Sequence, residues 1–238
     1  MAIVLIPGFM LHSGLWAEVA PALAPFGPII HADMSQDGSV QALARRVLAD
    51  APPHFGLIGF SMGGYVAREV VRTAPARVAA LVLIATSARG DTPDRARRKA
   101  VAAAQAARIP FQGVSRGSIA TSLHPSRAGD AALVERIRAM GARLGRDTFL
   151  RQLRMARHGD ADRLGAIRCP TLVVAAAEDR LRGLAEAAEL RDGIEGAAMA
   201  VIEGAGHMLP LEAPDRLMAA VAPWLRRHMA VPAEPETP

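Results

Sequence analysis

Six short runs of uninterrupted apolar residues, set between longer stretches of helical periodicity, constrain the fold of this chain more than any other feature. The runs are Ile3–Ile6, Pro28–Ala32, Phe55–Gly59, Val78–Ala85, Thr171–Ala175 and Ala198–Ile202. A strand with one wet face alternates apolar and polar side chains. A strand buried on both faces does not, and such strands belong to parallel sheets covered by helices. Helical patterns near Trp16–Leu23, Val40–Ala51, Met62–Ala74, Gly183–Asp192 and Pro214–His228 fall between or after the runs. Strand and helix in turn predict an α/β fold, with a mostly parallel central sheet covered by helices.

The alternation breaks once. Between Ser87 and Ile167 there is no strand signal, and the stretch is rich in Ala and Arg, with Pro110, Gly113, Gly117, Pro125 and Gly141 dividing it into several helices. A structureless loop of that length does not suit a compact domain. The expectation is therefore a core of residues 1–87 and 167–230 with a helical cap inserted at 88–166, over the carboxyl ends of the strands where open α/β sheets bind ligands. The tail, 231–238, is rich in Pro and Glu and reads as disordered.

Charge follows the same division. Residues 89–168 hold sixteen arginines and Lys99 against seven acidic residues, a local balance of +10 in a chain whose formal total is +5. The rest is mildly acidic. Phe111 and Phe149 are the only aromatic residues in the basic stretch, so it lacks the aromatic interleaving of a nucleic-acid reader, and no nucleic-acid partner is expected. Most of these arginines, Arg95, Arg97 and Arg98 among them, read as solvated helix faces. If two or three faced inward they would favour an anionic substrate. The single cysteine, Cys169, excludes an internal disulfide and reads as a small buried residue at a strand entrance. No Cys/His cluster suggests a metal. The opening MAIVLIPGF has no basic leader and its apolar run stops at Pro7-Gly8, so the expectation is a cytoplasmic protein without a membrane partner. Nothing in the sequence speaks to oligomeric state.

The segment that carries chemistry is Gly59-Phe60-Ser61-Met62-Gly63. A bare GxSxG is weak, but here an apolar strand leads into it and a helical pattern with Tyr65, Val66, Val70 and Val71 follows at once. Strand, tight turn and helix are what a nucleophile elbow needs, with glycines letting the backbones approach. The helix N-terminus behind Ser61 offers N–H groups to a developing oxyanion.

With that segment, three others make the chain resemble the α/β-hydrolase superfamily over nearly its whole length, and in particular its compact bacterial serine esterases. IPGFM, ending at Met10, stands after the first central strand. CPTLVVAAAEDRL, Cys169 to Leu181, is similar to the strand ending in the acidic triad member, and EGAGHMLPLEAPDRL, Glu203 to Leu217, to the histidine loop. The resemblance implies Ser61 as nucleophile, His207 as base and Asp179 as the carboxylate orienting it. The amides of Met62 and Phe9 would form the oxyanion hole. Pro7 stands where the family commonly has histidine, Ala176 where it has glycine, and Arg182-Gly183 where Thr-Pro is common. The implied activity is hydrolysis of a small carboxylic ester through an acyl-enzyme, with no cofactor. C–C bond, lactone or thioester hydrolysis, a lyase step and cofactor-free perhydrolysis are alternatives on the same scaffold.

The residues support this reading independently. A serine hydroxyl needs an adjacent base, and histidine suits that work near neutral pH. Of seven histidines, His207 lies just past a strand, between Gly206 and Met208. His12, near the oxyanion loop, and His124, in the cap, are the other two expected to touch substrate. For the carboxylate, Glu178, Asp33 and Asp91 compete with Asp179. Glu212 and Asp215 read as first-turn residues of the last helix.

Overall fold

The computed structural model describes residues 1–106 and 110–229; the expected disordered tail, 231–238, lies outside the described residues. Six strands form one sheet: β1 Ala2–Ile6, β2 Ile29–His31, β3 Phe55–Phe60, β4 Val78–Ile84, β5 Thr171–Ala176 and β6 Ala198–Ile202. Their order is β2-β1-β3-β4-β5-β6, and every neighbouring pair is parallel. The nine α-helices among the described residues are α1 Ala20–Leu23, α2 Val40–Asp50, α3 Met62–Thr73, α4 Pro93–Ala106, α5 Arg116–Ser122, α6 Ala131–Arg154, α7 Leu184–Gly193, α8 Leu209–Glu212 and α9 Pro214–His228.

Each central strand sends alternate side chains to opposite faces, and both faces are dry. Ile3 and Leu5 of β1, Val82 and Ile84 of β4 and Leu172 and Val174 of β5 pack on α9, through Leu217, Val221 and Leu225, and on Leu15 and Trp16. Val4 and Ile6, Leu81 and Leu83, and Val173 and Ala175 pack on α2, α3 and α7 through Leu43, Val47, Val66, Val70 and Leu190. The two edge strands differ. Ala198 and Val201 of β6 and His31 of β2 are exposed, because an edge strand has a neighbour on one side only.

The chain between β4 and β5 contains helices and no strand among its described residues. Ile119 and Leu123 of the α5 region and Leu133, Val134, Ile137 and Met140 of α6 join the same apolar cluster as α9, so these helices share the core of the sheet. Met155 and Leu164 join the cluster on the opposite face. Two expected breaks are absent: Gly117 lies inside α5, and α6 runs through Gly141. The break in α6 comes instead at Gly145, with φ 82° and ψ 172°, a conformation reserved for glycine.

The strand order reverses between β1 and β3, which go on to elements on opposite sides of the sheet. In open α/β sheets a crevice opens outside the carboxyl ends of the strands at such a point. Phe9 follows β1 and Ser61 follows β3, so both stand at this crevice.

Candidate active site

Ser61 joins β3 to α3 with φ 51° and ψ −112°, a backbone conformation that a side-chain-bearing residue adopts only under constraint. Its neighbours supply the constraint. A Cβ on Gly63 would come within 2.3 Å of the Ile6 carbonyl oxygen and 2.6 Å of that of Pro7. A Cβ on Gly59 would come within 2.7 Å of the Gly63 oxygen. Only bare glycines let α3 start this close to β1 and β3. The Ser61 carbonyl accepts from Thr86 Oγ1 at 2.7 Å, and its amide donates to Ile84 O at 2.9 Å.

His207 and Asp179 meet Ser61 in one chain of contacts. His207 Nε2 lies 2.9 Å from Ser61 Oγ, and Nδ1 lies 2.7 Å from Asp179 Oδ2. The second carboxylate oxygen, Oδ1, accepts from the amides of Leu181 at 2.7 Å and Arg182 at 2.9 Å, which fixes the plane of the group. Both side chains are buried, and the His207 ring packs on Phe60 with centroids 5.2 Å apart. The Ala176 and Arg182-Gly183 departures leave this loop geometry intact.

The rival carboxylates are engaged elsewhere. Asp91 binds Lys99 Nζ at 2.6 Å, Glu178 accepts from Ala205 N at 3.2 Å, and Asp33 accepts from Ser35 N at 2.8 Å. Among the described residues neither the Phe9 nor the Met62 amide donates to a protein acceptor. The next amide, that of Met10, is taken by Gln152 Oε1 at 2.9 Å, while Gln152 Nε2 donates to Met34 O. A buried glutamine from α6 thus holds the Phe9–Met10 turn, a role for which a glutamine in a helical stretch carries no sequence signal.

His12 and His124 do not reach the cavity. His12 caps the short 3₁₀ turn Ser13–Trp16, its Nδ1 accepting from Gly14 N at 3.0 Å. Burial, and then Arg143, hold its pKa below the ordinary histidine value. His124 spends Nδ1 on Ser126, while its amide donates to Glu212 Oε2 at 2.7 Å. Glu212 also accepts from Met208 N at 3.0 Å, so it ties the histidine loop to the chain after α5; it ends α8 and, unlike Asp215, is not in the first turn of α9. The same two segments touch at the backbone, where His207 N donates to Ser122 O at 2.8 Å.

Ser61 and His207 open on a cavity of about 890 Å³. One wall is aromatic: Phe9 and Phe111 flank Phe149 at centroid distances of 5.6 and 5.0 Å. Another is cationic, with Arg95, Lys99, Arg157 and Arg182 on the lining and no acidic side chain among the described lining residues. Arg97 and Arg98 are exposed as expected, but Arg95 is half-buried and turns to the cavity. It lies on the same α4 face as Lys99, one turn on.

A sequence model of the alpha/beta hydrolase family matches residues 3–220. The chain belongs to that family. Over 103 residues it is 37% identical to a pimeloyl-[acyl-carrier protein] methyl ester esterase of Klebsiella pneumoniae, a match covering 38% of this chain and 40% of that protein. The chain thus spans about two fifths of the curated esterases it matches. It is 30% identical over 249 residues, 95% of its length, to the dihydrolipoyllysine-residue acetyltransferase component of an acetoin cleaving system of Pseudomonas putida, covering 64% of that protein. Among solved structures, a thermophilic esterase from Thermogutta terrifontis with malate bound superposes with a TM-score of 0.88 at 26% identity, over 97% of this chain and 91% of that one.

Proposed function

We propose that this α/β hydrolase is a serine esterase of small carboxylic esters, working through an acyl-enzyme. The observation that carries the reading is the pair of contacts Ser61–His207–Asp179, at 2.9 and 2.7 Å, at the mouth of a cavity. The esterases among its relatives support the same class. In this arrangement the Ser61 hydroxyl donates to Nε2, and Nδ1–H donates to the carboxylate.

Ser61 Oγ attacks the ester carbonyl as its proton passes to Nε2. The amides of Phe9 and Met62 receive the oxyanion, and the positive end of α3 adds to their field. Imidazolium then protonates the departing alkoxide, and water activated by the same nitrogen releases the acid. The strained turn at Ser61 holds Oγ in place ahead of the reaction. The helices between β4 and β5 serve as the cap, and their aromatic wall receives the apolar part of the substrate. A volume of about 890 Å³ falls in the range of small-molecule sites.

The test is turnover of p-nitrophenyl butyrate by the wild type and by Ser61→Ala, with fluorophosphonate labelling of both. The variant should fold normally, lose about three powers of ten or more in kcat, and fail to label. Near-normal kcat in Ser61→Ala overturns the reading.

A further inference from the structure

Of the sixteen arginines between residues 89 and 168, several on the surface have plain partners. Arg136 pairs with Glu18, Arg138 and Arg116 with Glu135, and Arg127 with Asp130. Arg157 does not. Its Nε is shielded from solvent without an acceptor, and none of its guanidinium nitrogens donates to a protein acceptor among the described residues. A guanidinium stays charged in proteins, so an interior one without acceptors is costly unless something else supplies them.

The surroundings sharpen the imbalance. Arg157, Lys99 and Arg95 line the same wall of the cavity, and the carboxylate facing this group is Asp91. Asp91 gives Oδ2 to Lys99 at 2.6 Å, its buried Oδ1 makes no bond to Arg157 or to any other protein donor among the described residues, and it lies on the far side, lining a second hollow of about 400 Å³ that Lys99 and Arg157 also line. The cations feel one another. Burial pushes the Arg157 guanidinium down, and Arg182 and Arg95 push the same way, against the opposing pull of Asp91 and Tyr65. Burial likewise lowers the Lys99 ammonium, with Arg157 and Arg95 adding to the effect against its bond to Asp91.

The position fits a ligand reaching away from Ser61. Arg182 lines the same cavity, and its amide donates to Asp179 at 2.9 Å. Its guanidinium packs 5.9 Å from the ring of Tyr65, which lies one turn of α3 beyond Ser61. Along α4 the cavity-facing residues run from Arg95 and Lys99 to Ala102 and Ala106, a rise of about 16 Å by helix geometry from cationic to apolar wall.

We propose that Arg157, with Lys99 and Arg95, forms an anion subsite that receives a carboxylate carried by the substrate away from its scissile ester. The preferred substrate is then an anionic ester, and the acceptors that Arg157 lacks come from it. This specificity rests on the esterase reading above, but the subsite can be tested apart from it.

Two arms locate the carboxylate. Monomethyl esters of the dicarboxylic acids from succinic to suberic place it on the acyl side; acetate esters of ω-hydroxy acids place it on the alcohol side. Each is compared with the neutral methyl ester or alkyl acetate of equal length. In one arm kcat/KM for the charged ester should exceed that of its neutral partner by about tenfold to a hundredfold, the worth of one or two charge-assisted hydrogen bonds. Raised salt should erode the preference only partly, because an enclosed pair is weakly screened. Arg157→Met and Lys99→Met should each cut the ratio at least about tenfold, whereas Arg97→Gln, on the exposed face, should leave it alone. Separately, calorimetry on Ser61→Ala with adipate should detect binding that is lost in Ser61→Ala/Arg157→Met.

Neutral esters turned over as fast as charged ones in both arms, with no adipate bound, overturn the subsite and leave the esterase standing. Adipate binding that depends on Arg157, with no ester hydrolysed by the wild type, upholds the subsite and overturns the esterase.

Discussion

Two arginines, one fully buried at Arg68 and one half-buried at Arg157, divide the molecule into a region that holds itself together and one that is left open. Arg68, on α3, is fully buried and grips Asp160 with two parallel bonds, Nε to Oδ2 at 2.9 Å and Nη2 to Oδ1 at 2.8 Å. It also donates to Ser87 O at 2.8 Å, and Arg72 adds a third bond to Asp160. This staple fastens the chain returning from the helices between β4 and β5 to α3, the helix behind Ser61. Arg157 stands three residues before Asp160 with none of these acceptors. A buried charge with every donor matched maintains a shape; one without protein acceptors beside a cavity is left to solvent or to a ligand.

Stability measurements offer the strongest way to break this contrast. Asp160→Asn strands a buried guanidinium and should cost about 3–5 kcal/mol in urea unfolding. Arg157→Met should be neutral or slightly stabilising, within about 1 kcal/mol, because it removes an unmatched charge. Equal losses would erase the distinction between staple and subsite. Acid sharpens it further. Burial raises the Asp160 carboxyl, but the bonds from Arg68 and Arg72 together outweigh burial and hold it below the ordinary value. A carboxyl depressed in the fold contributes its full stability above the unfolded pKa, about 3.9, and loses it as pH falls through the folded one. The gap between wild type and Asp160→Asn should therefore be constant from neutral pH down to about 4 and narrow below it.

Next in size is Gly145→Ala, in the open region. An added Cβ meets nothing within 4 Å, so the cost is backbone strain alone, about 1–3 kcal/mol. Because Gly145 sets the direction of the α6 segment carrying Phe149 and Leu153 to the cavity, KM for apolar esters should rise with little change in kcat. A stability loss without a KM change would mean that the kink does not shape the wall. Smallest is Cys169, in the closed region. Burial raises its thiol to about 11, so only about one part in a thousand is thiolate at pH 8. Ellman's reagent should therefore label the native protein slowly and the unfolded protein at once.

The closed region is also the part the sequence spells out. Strands buried on both faces have no choice but continuous apolar runs, and the runs that begin at Ile3, Pro28, Phe55, Val78, Thr171 and Ala198 each hold a strand, although β2 and β6 at the edges are partly exposed. Ser61 is legible because its elbow needs glycines on fixed sides, and these are short-range demands. The region between β4 and β5 is less legible because its facts are long-range. Whether Arg95 meets solvent or cavity depends on what α4 packs against. Gly145 breaks its helix where Gly141 does not because of tertiary direction, and no spacing distinguishes them. The sequence presents His12 and His124 as available for substrate, but their Nδ1 atoms are engaged with their own turns. Near Trp16–Leu23 the pattern predicts a helix; the structure has a 3₁₀ turn ending at Trp16 and a short α1, with Pro21 at its N-terminus.

Glu212 has a mechanical consequence. One oxygen holds Met208, next to His207, and the other holds His124, just past α5, while Ser122 O takes the amide of His207 itself. A Cβ on Gly206 would lie 2.4 Å from His124 N, so the two backbones are in direct touch. The chain after α5 and the histidine loop are thus fastened to each other, and α5 cannot leave the sheet without breaking these bonds or carrying the His207 backbone with it.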